Sequence, residues 1–112
     1  MKRLEILIVS KPGWLNVSDL ASQYLPAHVH HVLRFDRKML QDKKPSAIII
    51  DLEQPDCVDQ IGLAKREAIA IYAIGKATPE NELVCKWLGV PMFHSIPTPV
   101  EFRKMFFHQL SA

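Results

Sequence analysis

The chain has 112 residues, 48% of them hydrophobic, enough for one domain with one core and too few for a second. Fourteen basic against twelve acidic side chains give a net charge of +2, too balanced to attract nucleic acid or membrane by charge alone. No apolar run approaches the roughly 18 residues that cross a bilayer, no signal-peptide core follows Met1, and Cys57 and Cys85 lack metal-ligand spacing. The expectation is therefore a cytoplasmic domain with free thiols.

Leu4–Val9 is apolar apart from Glu5 and rich in Ile and Val, which predicts a buried strand ending at Ser10, before the breaker Lys11-Pro12-Gly13. Val17, Leu20, Ala21, Tyr24 and Leu25 then fall at helical spacing, with Asn16 or Ser18 as cap and Pro26 as stop. His28–Phe35 alternates, as an outer strand does, with Val29, Val32, Leu33 and Phe35 expected inward. Alternation puts His28 and His30 on one side and His31 on the other, so the three histidines do not read as a metal site. Asp36 caps a short helix to Lys43, in which Met39 and Leu40 pack; Lys38, Lys43 and Lys44 read as a solvated face.

Ala47–Ile50 is a continuous apolar run and predicts a central parallel strand, with Asp51 at its carboxyl end and Pro55-Asp56 closing it off. In an open α/β sheet that end is where chemistry collects, so Asp51 is a functional carboxylate, a cap for the turn, or a partner of Lys11 or Lys76. Cys57–Glu67 predicts a helix with Val58, Ile61, Leu63 and Ala64 inward, weakened by Gly62, and Cys57 is taken as a loop thiol at its start. Ala68–Ile74 is a second central strand. Ser10 and Thr78 both read as caps. Thr78-Pro79 opens a helix that buries Leu83, Val84, Trp87 and Leu88, carries Cys85 toward the core and stops at Gly89. A last strand over Val90–Ser95, a turn at Ile96-Pro97-Thr98-Pro99 and a closing helix over Val100–Leu110 complete the pattern. Five strand–helix repeats on short links imply a parallel sheet with helices on both faces.

Two stretches carry a resemblance. Ala47–Asp56, AIIIDLEQPD, resembles the strand-three segment of CheY-like receiver domains of bacterial response regulators, where a phosphoacceptor aspartate follows apolar residues and Pro-Asp comes soon after. Leu88–Pro97, LGVPMFHSIP, resembles the last-strand segment of the same family, with Gly89, Phe93 and Pro97 at the expected intervals. The resemblance implies a flavodoxin-like fold with strand order 2-1-3-4-5 and gives Asp51 the phosphoacceptor place. It also exposes departures. Ser10 and Lys11 stand where two acidic residues would hold Mg²⁺, Ile74 stands for a hydroxyl residue, and Ile96 stands for a lysine. An aspartate without that set has lost the electrostatics of phosphoryl transfer, which makes the chain a degenerate receiver with no metal and no cofactor.

The expected function is therefore signalling by protein binding rather than catalysis. The partner, or an attached output domain, would use the face built from the helix over 79–88, the last strand and the closing helix: Trp87, Pro91, Phe93, Pro97, Phe102 and Phe106, with homodimerisation through the same face. Trp87 on its helix stripe also reads as core. Neither nucleic acid nor membrane is an expected partner. Two alternatives stand beside this reading: an atypical receiver still phosphorylated on Asp51, and a small-ligand domain binding an anion between Ser10–Gly13 and Gly75–Thr78, which lacks the Gly-rich loop such sites use. The chain fits an excised domain of a longer signalling protein as well as a complete one.

Overall fold

The computed structural model of the chain describes residues 4–11, 27–94 and 104. Within them run β1 (Leu4–Val9), β2 (Ala27–Val32), α1 (Arg37–Lys43), β3 (Ala47–Asp51), α2 (Cys57–Arg66), β4 (Ala70–Ile74), α3 (Pro79–Leu88) and β5 (Met92–Phe93). The helix expected over 16–25, the turn at 96–99 and the closing helix over 100–110 lie outside the described residues, apart from Lys104, which is helical. All strand pairs are parallel and the order is β2-β1-β3-β4-β5. The fold is therefore flavodoxin-like, with β2 at one edge and β5 at the other.

Register explains why the central strands read as unbroken apolar runs. Ile6–Val9 lies opposite Ala47–Ile50, and Ala47–Asp51 lies opposite Ala70–Ile74. Paired residues of parallel strands point to the same face. Leu7, Val9, Ile48, Ile50, Ile71 and Ala73 thus meet Leu40 of α1, Ile61 and Ala64 of α2 and Cys85 of α3 in one core. On the opposite face Ile6, Ile8, Ala47 and Ile49 are just as completely buried. Neither face of β3, nor of β1 from Ile6 to Val9, is solvated, so neither run can alternate. Each isoleucine buried there contributes about 1.5–3 kcal/mol.

The helix ends follow their local chemistry. Asp36 Oδ1 accepts from Met39 N at 2.8 Å, and Thr78 Oγ1 accepts from Asn81 N at 3.2 Å, so both expected caps form. Gly89 closes α3 at φ 68°, a left-handed conformation that suits glycine.

Three inward faces differ from those read in the sequence. The buried stripe of α2 is Gln60, Ile61 and Ala64 with Cys57 half-buried at the first helical position, while Val58 is exposed. Leu33, expected inward, lies just past β2 and is exposed. On α3, Cys85 is buried and Val84 and Leu88 half-buried, but Leu83 is 68% and Trp87 79% exposed. Five of the ten residues of this helix are apolar and spread over more arc than one sheet face can cover, so one side must remain in water. The core reading of Trp87 is thereby corrected.

Candidate functional site at the carboxyl edge of the sheet

The order β2-β1-β3 reverses direction between β1 and β3, and loops leaving such a switch point diverge to leave a crevice. Val9 pairs with Ile50, so Ser10 follows beside Asp51. Asp51 in turn pairs with Ile74, and Ile74 with Phe93. Of the five residues singled out at this end, Ser10, Asp51 and Ile74 thus stand side by side and Lys11 follows Ser10, while Ile96 lies outside the described residues.

Asp51 is only 5% exposed. Its Oδ1 accepts from Glu53 N at 2.9 Å, an Asx-type turn that starts the loop after β3. Lys76 pairs with Glu53 at 4.0 Å instead of with Asp51. Lys11 is exposed and acts on Asp51 through its field. Of the structural roles open to Asp51, capping its own turn is the one observed.

Among the described residues Ser10 caps no helix. It is fully buried, with its Oγ 2.8 Å from His31 Nε2 and 3.0 Å from Lys11 O. A hydroxyl has one proton, so when Ser10 donates to Lys11 O, His31 Nε2 must donate to Ser10 Oγ. Full burial and these two partners leave Ser10 inaccessible to a substrate. His28 and His30 share the other side of β2, both facing Glu5, with His30 Nε2 2.7 Å from Oε2 and His28 Nδ1 3.8 Å from Oε1. Among the described residues no group of three or more His, Cys, Asp or Glu side chains is arranged to hold a metal ion.

Burial pushes the Asp51 carboxyl above the ordinary aspartate range. The Glu53 N–H opposes this, the Glu53 charge adds to it, and Lys11 pulls the other way. A carboxyl raised on folding binds more protons in the native than in the unfolded state, so stability falls as pH rises through that window. Asp51→Asn keeps the acceptor for Glu53 N and removes the charge. It is expected to raise stability at pH 7, with the gain shrinking in acid. Urea melts of both proteins at pH 7 and pH 4 check this; an Asn variant no more stable than the parent at pH 7 would contradict it. Burial likewise pushes the Cys57 and Cys85 thiols up, which argues against either as a nucleophile.

No protein-family model matches the chain, and no curated protein sequence matches it significantly. Solved structures do. The response regulator DrrB of Thermotoga maritima, an OmpR/PhoB homologue, superposes with a TM-score of 0.75 at 16% identity over 98% of this chain. The chain spans 54% of the length of that protein. A putative response regulator of Chloroflexus aurantiacus matches with a TM-score of 0.69 and 18% identity, over 99% of this chain and 100% of its own. The response regulator RPA3017, described in red-light signalling of R. palustris, matches with a TM-score of 0.71 and 12% identity, over 92% of this chain and 91% of its own. The chain has the receiver fold.

On that fold the pocket residues and the described residues of the expected interaction face lie apart, save where Phe93 pairs with Ile74. Ser10, Asp51 and Ile74 form the row described above, with Lys11 beside it. Trp87 and Pro91 belong elsewhere, on the outer side of α3 and the loop into β5, and both are exposed. Phe93 is half-buried, its ring centroid 6.5 Å from that of Tyr72. Pro97, Phe102 and Phe106 lie outside the described residues.

Two glutamines beside the site escaped the sequence reading. Gln54 Nε2 donates to Leu33 O at 2.9 Å, and Gln60 both accepts from Phe35 N and donates to Phe35 O, each at 2.8 Å. Together they bind the segment after β2 to the segment after β3. The one signal available was position: Gln60 sits next to Ile61 and one turn before Ala64, a polar side chain on the buried stripe.

Proposed function

We propose that the chain is a receiver-type signalling module that works by binding a protein and has no phosphorylation switch of the usual kind. The observation that carries this reading is the row at the carboxyl edge of the sheet. A Mg²⁺ site needs several oxygen ligands around the acceptor carboxylate. Here the neighbour on one side is a buried hydroxyl already engaged by His31, the neighbour on the other is Ile74, and the residue after Ser10 is a cation. These residues do not fit the metal. One Asp51 oxygen is also committed to Glu53 N.

The expected result is that Mg²⁺ or Mn²⁺ shows no submillimolar binding by calorimetry and that acetyl phosphate or beryllofluoride with Mg²⁺ leaves Asp51 unmodified. Metal binding that disappears in Asp51→Asn would instead make the protein an atypical phosphorylated receiver. Leu83 and Trp87, one turn apart on the outer side of α3, support protein binding as the output. That surface fits a partner protein, an attached output domain or a second copy of the chain.

A further inference from the structure

We propose that the groove between α1 and α2 docks an acidic segment of a partner protein, in which an apolar side chain is flanked by carboxylates. Two adjoining depressions form this groove. The first, about 320 Å³, is floored by Leu40, Pro45 and Ile69 and rimmed by Gln41, Lys44 and Glu67. The second, about 390 Å³, opens on the other side of Glu67 and is lined by Leu63, Arg37 and Arg66. Hydrocarbon at the base with cations at the rim suits a side chain that is apolar and neighbours that are anionic.

Charge is concentrated here. The lining of the two depressions carries Arg37, Lys44 and Arg66 against Glu67, an excess of two, as large as the net charge of the whole chain. The remainder is therefore balanced, and the groove is where an anionic partner is drawn. Part of this positive charge complements the carboxyl ends of α1 and α2, but Arg37 opens α1 and has no such role. Arg37 meets Glu67 through Nε at 2.9 Å with its side chain largely in solvent, so the terminal nitrogens of its guanidinium can take a second carboxylate. A nucleic acid fits less well. Residues 36–45 and 65–69 contain no aromatic side chain on which a base could stack, and the carboxylate of Glu67, which borders both depressions, interrupts a track for a phosphate backbone.

The test is fluorescence anisotropy with a labelled short peptide carrying one leucine between glutamates, against the same peptide with glutamines and against a single-stranded oligonucleotide. Arg37→Gln with Arg66→Gln should weaken the acidic peptide by about 10-fold or more. Lys76→Gln with Lys86→Gln, the same loss of charge away from the groove, should leave binding within about twofold. Glu67→Gln should tighten it, since it removes a like charge and frees Arg37. Arg37 is largely exposed whereas Glu67 is only 25% exposed, so far-UV circular dichroism checks that each variant folds. Equal weakening by the two lysine and the two arginine changes, oligonucleotide binding as tight as peptide binding, or no binding at millimolar peptide would each overturn the proposal.

Discussion

Gln60→Leu is expected to destabilise the domain by about 2–5 kcal/mol, more than any apolar deletion of similar volume on the exposed side of α2. Gln60 is 5% exposed and its amide satisfies both backbone groups of Phe35, which is itself buried. Leucine matches the volume and would pack against Ile61 and Ala64, so the cost is not a cavity. It arises from one buried N–H and one buried C=O losing their partners, each worth about 1–3 kcal/mol. Gln60→Glu should fare little better, because it keeps an acceptor for Phe35 N but turns a carboxylate toward Phe35 O. Urea unfolding measures the difference. A loss below about 0.5 kcal/mol for Gln60→Leu would mean that water reaches Phe35 once the amide is gone.

Gly75→Ala is the second large effect expected, a loss of about 1–3 kcal/mol with no atom removed. A Cβ at this position would stand 2.7 Å from Leu52 Cδ1 and 2.9 Å from Leu52 Cβ. The first contact can be relieved by rotating Leu52, but the second cannot, because Leu52 Cβ is fixed to a backbone whose N–H bonds Ile74 O at 3.0 Å. Gly75 N in turn donates to Phe93 O at 3.0 Å, so moving this backbone also strains the short β4–β5 pairing. Leu52→Ala in the Gly75→Ala background should restore only part of the stability, since the Cβ contact remains. Full restoration would show that the clash is with the leucine tip alone. Because Leu52 directly follows Asp51, the same substitution should also perturb the Asp51 turn, readable as a shift of the Glu53 amide in NMR spectra.

How far the sequence carries can be judged residue by residue. The apolar runs Leu4–Val9 and Ala47–Ile50 have no polar alternation, and only a strand covered on both faces tolerates that; the parallel α/β class follows from it. The caps Asp36 and Thr78 and the stop at Gly89 were equally legible, because capping depends on a side chain and a backbone three or four residues away. The separation of His31 from His28 and His30 follows from the two-residue period of any strand. At the site, the place of Asp51 at the end of a buried strand was also visible.

Tertiary structure alone decided the rest. Which arc of α3 goes inward could not be read from Leu83, Val84, Cys85, Trp87 and Leu88, since all are apolar and the choice depends on where the sheet lies. Ser10 looked like a cap because its partner, His31, is 21 positions away and becomes a neighbour only when β1 and β2 pair. Gln60 and Phe35 are 25 positions apart, and a glutamine on an apolar stripe gives no sign of which backbone it satisfies. Lys38, Lys43 and Lys44 read as a solvated face, and only the placing of α1 beside α2 sets Lys44 with Arg37 and Arg66 around one apolar groove. Local interactions are written in consecutive residues, whereas a buried polar partner or a groove exists only once distant segments share a wall.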